Sequence, residues 1–179
     1  MADFTNSDQI FQALTNTVGS FCKEVTGRKV VLAGEDEIPK VEGDFILVDL
    51  TAVDQLDWQA NEWVDELGRN VTTHNYEVVY TVTAYRGSAP AALSKVLQAM
   101  NLPFIYYKYF PTNSPFAYSS SSTISRLRVP LNMQKFENRA VVLITFNVCF
   151  IETDTDAFED LEKLHAQVIM KYPVEDSQP

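Results

Sequence analysis

Two histidines, two cysteines and a scatter of aspartates are the residues of this chain whose types could do chemistry. His74 and His165 each stand without a Cys, His or carboxylate at a metal-binding spacing such as His-Glu-x-x-His, so both read as solvated or hydrogen-bonding side chains and no zinc site is expected. Cys22 and Cys149 lie in apolar-periodic contexts with no nearby partner and read as two reduced, buried thiols. A serine nucleophile usually occupies a sharp Gly-x-Ser-x-Gly turn, whereas the serines here fall in a polar tract or on helix surfaces. Asp49, Asp54 and Asp57 could converge with Glu35-Asp36-Glu37 as an acid–base pair, yet loop carboxylates are commonplace in an acidic protein. Asp154-Thr155-Asp156 lacks the mid-loop Gly and closing Glu of a calcium loop. Arg86-Gly87-Ser88-Ala89-Pro90 has one glycine and no Gly-Lys pair, which is too little to cradle a phosphate. No catalytic, metal-binding or cofactor-binding residue is assigned, no cofactor is expected, and the chain does not read as an enzyme. Arg126 and Arg128 alternate and so share one strand face, where they are either solvated or make a charged contact across a subunit boundary.

The elements that would position these residues follow from periodicity. Ile10, Leu14, Val18, Phe21 or Cys22, and Val25 recur at helical spacing, with Thr5 and Asp8 as a capping box and Gly27 as the stop. Short strands are expected at 29–32 and 45–50, with the acidic turn and Pro39 between them. Residues 52–75, polar and holding Trp58 and Trp63, read as a long loop suited to partner contacts. Residues 76–85 alternate as a strand, with Tyr76, Val78, Tyr80, Val82 and Ala84 on one face. A helix follows from Pro90, with Leu93, Val96, Leu97 and Met100 as its stripe and Asn101 and Pro103 as its end.

Residues 104–110 read as an aromatic strand, 111–123 as an exposed flexible loop, 124–131 as a strand and 139–151 as the longest, central strand. A closing helix begins near Thr153, with Asp154, Asp156, Glu159 and Asp160 in its first turns and Phe158, Leu161, Leu164, Val168 and Ile169 as its buried stripe. The order implies an α+β fold: a twisted, mostly antiparallel or mixed sheet with helices packed on one face. A single domain over residues 1–172 is expected, with a frayed tail at 173–179.

The bulk numbers agree with one domain and bear on partners. A chain of 179 residues that is 46% hydrophobic can bury one substantial core. Its 24 acidic against 14 basic residues oppose a broad phosphate-gripping surface, so duplex binding is not expected. No secretion signal or membrane-length apolar run is seen, which leads to the expectation of a soluble protein used in the cytoplasm, away from membranes. Without such a signal, the glycosylation-type triplet Asn70-Val71-Thr72 carries no meaning.

The long alternating strand ending in Ala84-Tyr85-Arg86-Gly87, the helix after it, and Phe136-Glu137-Asn138-Arg139-Ala140 opening a second long strand resemble the tail or neck terminator proteins of tailed bacteriophages. The resemblance covers the C-terminal half in detail and the N-terminal helix and strands in order only. It implies a structural virion protein assembled in the host cytoplasm: a homo-oligomeric, hexameric ring at the neck or tail end. Such a ring meets the connector or stopper proteins on one side and the tail tube and sheath on the other, completes tail assembly, and lets genomic DNA pass without specific binding. A second reading is a small ferredoxin-like dimeric module holding a peptide or small ligand among Tyr106, Tyr107 and Tyr109.

Overall fold

The computed structural model describes residues 7–34, 41–56, 62–64, 70–132 and 135–153. In chain order these form α1 (Ser7–Thr26), β1 (Lys29–Leu32), β2 (Phe45–Gln55), β3 (Glu62–Val64), β4 (Asn70–Tyr85), α2 (Ala89–Met100), α3 (Pro103–Tyr109), β5 (Phe116–Ser121), β6 (Ser125–Asn132) and β7 (Lys135–Thr153). The strands make one mixed sheet in the order β1-β2-β4-β7-β5, with β3 also paired to β4 and β6 to β7. Only β1 and β2 run parallel; the other pairs are antiparallel. The architecture is the expected α+β one, with the helices on one face and β7 central.

Period-2 burial explains the sheet. Val78, Tyr80, Val82 and Ala84 of β4 lie directly across from Phe146, Ile144, Val142 and Ala140 of β7. All eight are buried. Ile46 and Val48 of β2 extend the same apolar surface. Onto it α1 sets Ile10, Leu14, Val18 and Phe21, and α2 sets Leu93, Val96 and Met100. Gly19 faces β1 closely: a Cβ there would stand 2.6 Å from Leu32 Cδ2, so the exposed end of that leucine would have to turn aside. Gly27 adopts φ +68°, and its N–H bonds the Lys23 carbonyl at 2.9 Å, stopping α1 as its position predicts.

The one phenol buried in this layer is satisfied: the Tyr80 hydroxyl lies 2.9 Å from Thr15 Oγ1 and donates to the Phe11 carbonyl at 3.4 Å. Burial pushes its pKa up to about 12. Beside it Phe146, Phe110 and Phe21 form a chain of ring contacts at centroid distances of 5.2 and 5.8 Å.

Four expectations need correction. Residues 103–109 are helical, not a strand. Ile105, Tyr106, Tyr109 and Phe110 pack inward at one-turn spacing, and this helical stripe outweighs the strand propensity of a run of aromatics. The segment at 111–123 holds β5. Its serines substitute for ladder groups, as where Ser122 Oγ accepts the Leu143 N–H at 2.9 Å and Ser114 Oγ accepts that of Phe116 at 3.3 Å.

The stretch at 52–75 is largely strand: β2 runs on to Gln55 past a bulge between Leu50 and Ala52, β3 pairs with β4, and β4 starts at Asn70. His74 therefore lies within β4 and stacks on Phe150 with 5.3 Å between ring centroids. Finally Cys149 is exposed, on the β7 face away from the helices; Cys22 is buried, with burial raising its thiol to about 12. Thr5, Trp58, Asp57, the acidic turn 35–37, His165, the closing helix and the tail 173–179 lie outside the described residues.

Truncating Phe146 to Ala empties the centre of the aromatic chain. It is expected to cost about 3–5 kcal/mol, whereas Tyr80→Phe, which removes only a hydrogen-bonding hydroxyl, should cost about 1 kcal/mol. Urea unfolding of both variants checks the ranking.

Candidate functional site

The two segments singled out in the sequence meet in the fold. The last β4–β7 pairs are Ala84 with Ala140 and Tyr85 with Arg139. Chain direction reverses at Arg86, whose φ of +62° is in the left-handed region where a side chain costs roughly 1–2 kcal/mol. Several bonds hold it there. Its N–H donates to the Asn138 carbonyl at 2.7 Å. Nη1 donates to the carbonyls of Val41 at 3.1 Å and Gly43 at 2.9 Å, and Nε donates to Glu137 Oε1 at 3.2 Å.

Glu137 is a buried carboxylate gripped from two sides, its second oxygen accepting from Arg139 Nε at 2.7 Å and Nη2 at 2.5 Å. Two arginines against one buried carboxylate supply the pairing that burial of a charge demands. Arg139 in turn lies 4.8 Å over the Tyr85 ring, which stacks on Phe45 at 4.4 Å. Arg28 adds an ion pair to Asp44 at 3.4 Å and a bond to the Tyr85 carbonyl. Gly87, at φ +47°, has no room for a Cβ, which would stand 2.0 Å from Asp44 Oδ2.

This network ties three parts of the chain together: residues 41–44 ahead of β2, the turn into α2, and the base of the β6–β7 hairpin. It contains no nucleophile, and its charges are spent on one another, so its chemistry is mechanical. Beyond Arg139, β7 pairs with β6 alone, through Arg128–Asn138, Val129–Glu137 and Pro130–Phe136, and the hairpin stands out as an arm. Arg126 and Arg128 share a face of it, as expected, and both are exposed; Phe136, on that same face, is 66% exposed. Arg126 Nε donates to Asn138 Oδ1 at 3.0 Å.

On the face of the sheet opposite the helices, Val31, Val41 and Phe45 form a small buried cluster toward the β1–β2 edge, and the stretch along the middle of β7 is open among the described residues. Leu143 is 41% and Ile151 48% exposed there, with Val79 half-buried between them and β2. Asp54 lies directly across from Glu77, and Asp49 across from Thr81. None of these three carboxylates has a Lys or Arg partner among the described residues. The earlier acid–base grouping thus reduces to two aspartates strung along one strand, with Asp57 and the turn 35–37 outside the description. Among the described residues no cluster of His, Cys, Asp or Glu could hold a metal, and no helix is long and apolar enough to cross a membrane.

The tyrosines of α3 do not converge on a ligand. The Tyr106 hydroxyl accepts the Tyr118 N–H at 3.0 Å, and the Tyr109 hydroxyl donates to Glu24, which Lys108 also grips at 2.5 Å. Tyr107 and the 91%-exposed Phe104 face outward. The Lys108 hydrogen bond, then that of Tyr109, holds the Glu24 carboxyl below its ordinary range. Glu24 in turn pushes the Tyr109 phenol up to about 12. The strap fixes α3 to the end of α1.

Among the described residues, then, the sheet is locked at one end by an ion-pair network, beside a hairpin arm and an open stretch on the face away from the helices. A family profile described as phage neck terminator protein matches residues 12–172. The chain belongs to the phage neck terminator protein family, a family of structural virion proteins of the neck that meet other neck and tail proteins. None of the curated proteins matches. Among solved structures, one aligns over 81% of this chain and 96% of its own at 14% identity and a TM-score of 0.37, a likeness that carries no argument.

Two outcomes follow. Glu137→Ala removes the buried carboxylate but leaves Arg86 and Arg139 part-exposed and open to water, and is expected to lower unfolding free energy by about 1.5–3 kcal/mol, as read by denaturant titration. The Glu24 strap gives a pH dependence: a carboxyl whose folded pKa is depressed stabilises above its unfolded value, near 4.5, and that contribution is lost as pH falls through the folded value. The melting difference between the native chain and Glu24→Gln should be present at neutral pH and shrink as the pH is taken below the ordinary carboxyl value. Spectrophotometric titration should show Tyr109 returning toward an ordinary phenol in the variant.

Proposed function

We propose that this chain is the ring-forming terminator subunit at the neck or tail end of a tailed phage. It joins the head-side connector or stopper to the tail tube, completes tail assembly, and forms part of the passage for DNA. The observation that carries the reading is the family match across residues 12–172, which spans both strands of the network at the hairpin base. Three physical features support it. The described residues bring no reacting groups together, so the fold has surfaces to offer rather than a pocket; the sheet is stiffened at one end, as a load-bearing part requires; and a formal charge of −10 keeps phosphate from adhering to the subunit. A non-enzymatic role, hexameric closure and contacts to sheath as well as tube are part of this proposal.

The purified chain, mixed with tails that lack their neck proteins, is expected to attach at the head-proximal tail end and to appear in negative stain as a ring with a central hole. Failure to bind tails or connector under any condition that keeps the chain folded would overturn this function.

A further inference from the structure

Charge is sorted along this chain in a way its total conceals. Residues 86–140 hold seven of the 14 Lys and Arg residues and only one of the 24 Asp and Glu residues, Glu137. Residues 41–68 hold eight acidic residues and no basic one. The fold carries these segments to opposite sides of β4. The acidic segment contains β2 and β3, while the basic one builds α2, α3, β5, β6 and the start of β7.

On the basic side Glu137 is consumed by Arg86 and Arg139, so it offers nothing to Arg126 and Arg128. Those two are exposed on the arm, and among the described residues Arg126 bonds a neutral amide, that of Asn138, and no carboxylate. Their face is the helix side of the sheet, because Arg126 pairs with Ala140 and Arg128 with Asn138, and it also presents Phe136. On the acidic side Asp49, Asp54 and Glu77 point to the other side of the sheet, around the apolar strip of Val79 and Leu143. Placing Asp54 and Glu77 opposite one another without a cation is unfavourable by itself. Each surface lacks what the other has: one offers cations around an exposed aromatic ring, the other carboxylates around exposed aliphatic carbon.

We propose that the hairpin arm of one copy docks on the open stretch of the sheet face away from the helices in a second copy, with Arg126 and Arg128 against Asp49, Asp54 and Glu77, and Phe136 on Val79 and Leu143. The two surfaces are different and lie on opposite faces of the sheet, so the contact is heterologous. Each copy uses its arm forward and its open face backward, and the chain of contacts ends only by closing on itself. The inference deepens the ring reading above by naming the surfaces that meet, and it rests on that reading for closure.

The test uses the full chain and its charge reversals, R126E/R128E and D49K/D54K, with folding checked by circular dichroism and melting. Mass photometry and sedimentation give the assembly state at about 50 mM and about 500 mM salt. Native chain is expected to assemble at low salt and weaken at high salt, and each reversal should weaken assembly by roughly a hundredfold. Mixing the two reversed chains should restore it, because each then meets a complementary surface on the other. Should a reversed chain fail to fold, the neutral pairs R126Q/R128Q and D54N/E77Q take its place, and each should weaken assembly and its salt dependence.

A native chain that stays monomeric at low salt, reversals that assemble like the native chain, or a mixture that does not recover would each overturn the docking. So would an arm whose reversal abolishes binding of a short DNA duplex while leaving self-association intact. Failure of the two readings can be told apart: a chain that attaches to tails yet shows no charge-swap rescue keeps its neck function and loses this interface, and rescue without tail attachment does the reverse.

Discussion

The β4–β7 ladder is the constraint on which the rest of the structure depends. Its pairs run without a break from Val71–Thr153 to Tyr85–Arg139, and every other described strand except β1, which joins through β2, pairs directly with one of these two. A continuous antiparallel register leaves one freedom, which residues face the helices, and burial of Val78, Tyr80, Val82, Val142, Ile144 and Phe146 removes it. A slip by one residue would turn Glu77, Thr81 and Asn147 into the core. Both strands exceed the layer that α1 and α2 cover, so the ladder also generates the parts that stand free of it: the polar run at Asn70–Asn75 at one end and the hairpin arm at the other.

Legibility in the sequence tracked how one-sided the burial is. Helices α1 and α2, the second half of β4 and most of β7 each have one wet and one dry face, and their periodicity declared them. Apart from the buried Val71, residues 70–75 are polar on both faces, so β4 there gives no alternation to read. In α3 the inward residues do recur at helical spacing, but the outward Phe104 and Tyr107 are aromatic too, which hid the pattern. In β5 the serines resembled a polar tract, while in the fold their hydroxyls replace ladder groups at an edge.

The ion-pair network was invisible as a whole, since Arg28, Asp44, Arg86, Glu137 and Arg139 come from four separated stretches. Its traces were nonetheless present in the Arg-Gly turn and in the alternation of Glu137 with Arg139. Those are the segments on which the family resemblance rested, and the profile match over 12–172 agrees with it. In this chain those segments form a device of construction. A left-handed arginine and a buried carboxylate anchor the hairpin to the loop before β2, so force applied to the arm reaches the sheet through charge-assisted hydrogen bonds as well as backbone pairing.

The placement of the two thiols gives this protein a built-in single-site reporter. Cys22 is sealed in the core and held as the unreactive thiol, whereas Cys149 stands in solvent on the sheet face away from the helices. A mild thiol label therefore distinguishes two positions without engineering, and the one it reads is on the sheet face proposed above to receive a second copy. The native sequence carries, in one sulfur atom, a footprint of whether that face is open or occupied.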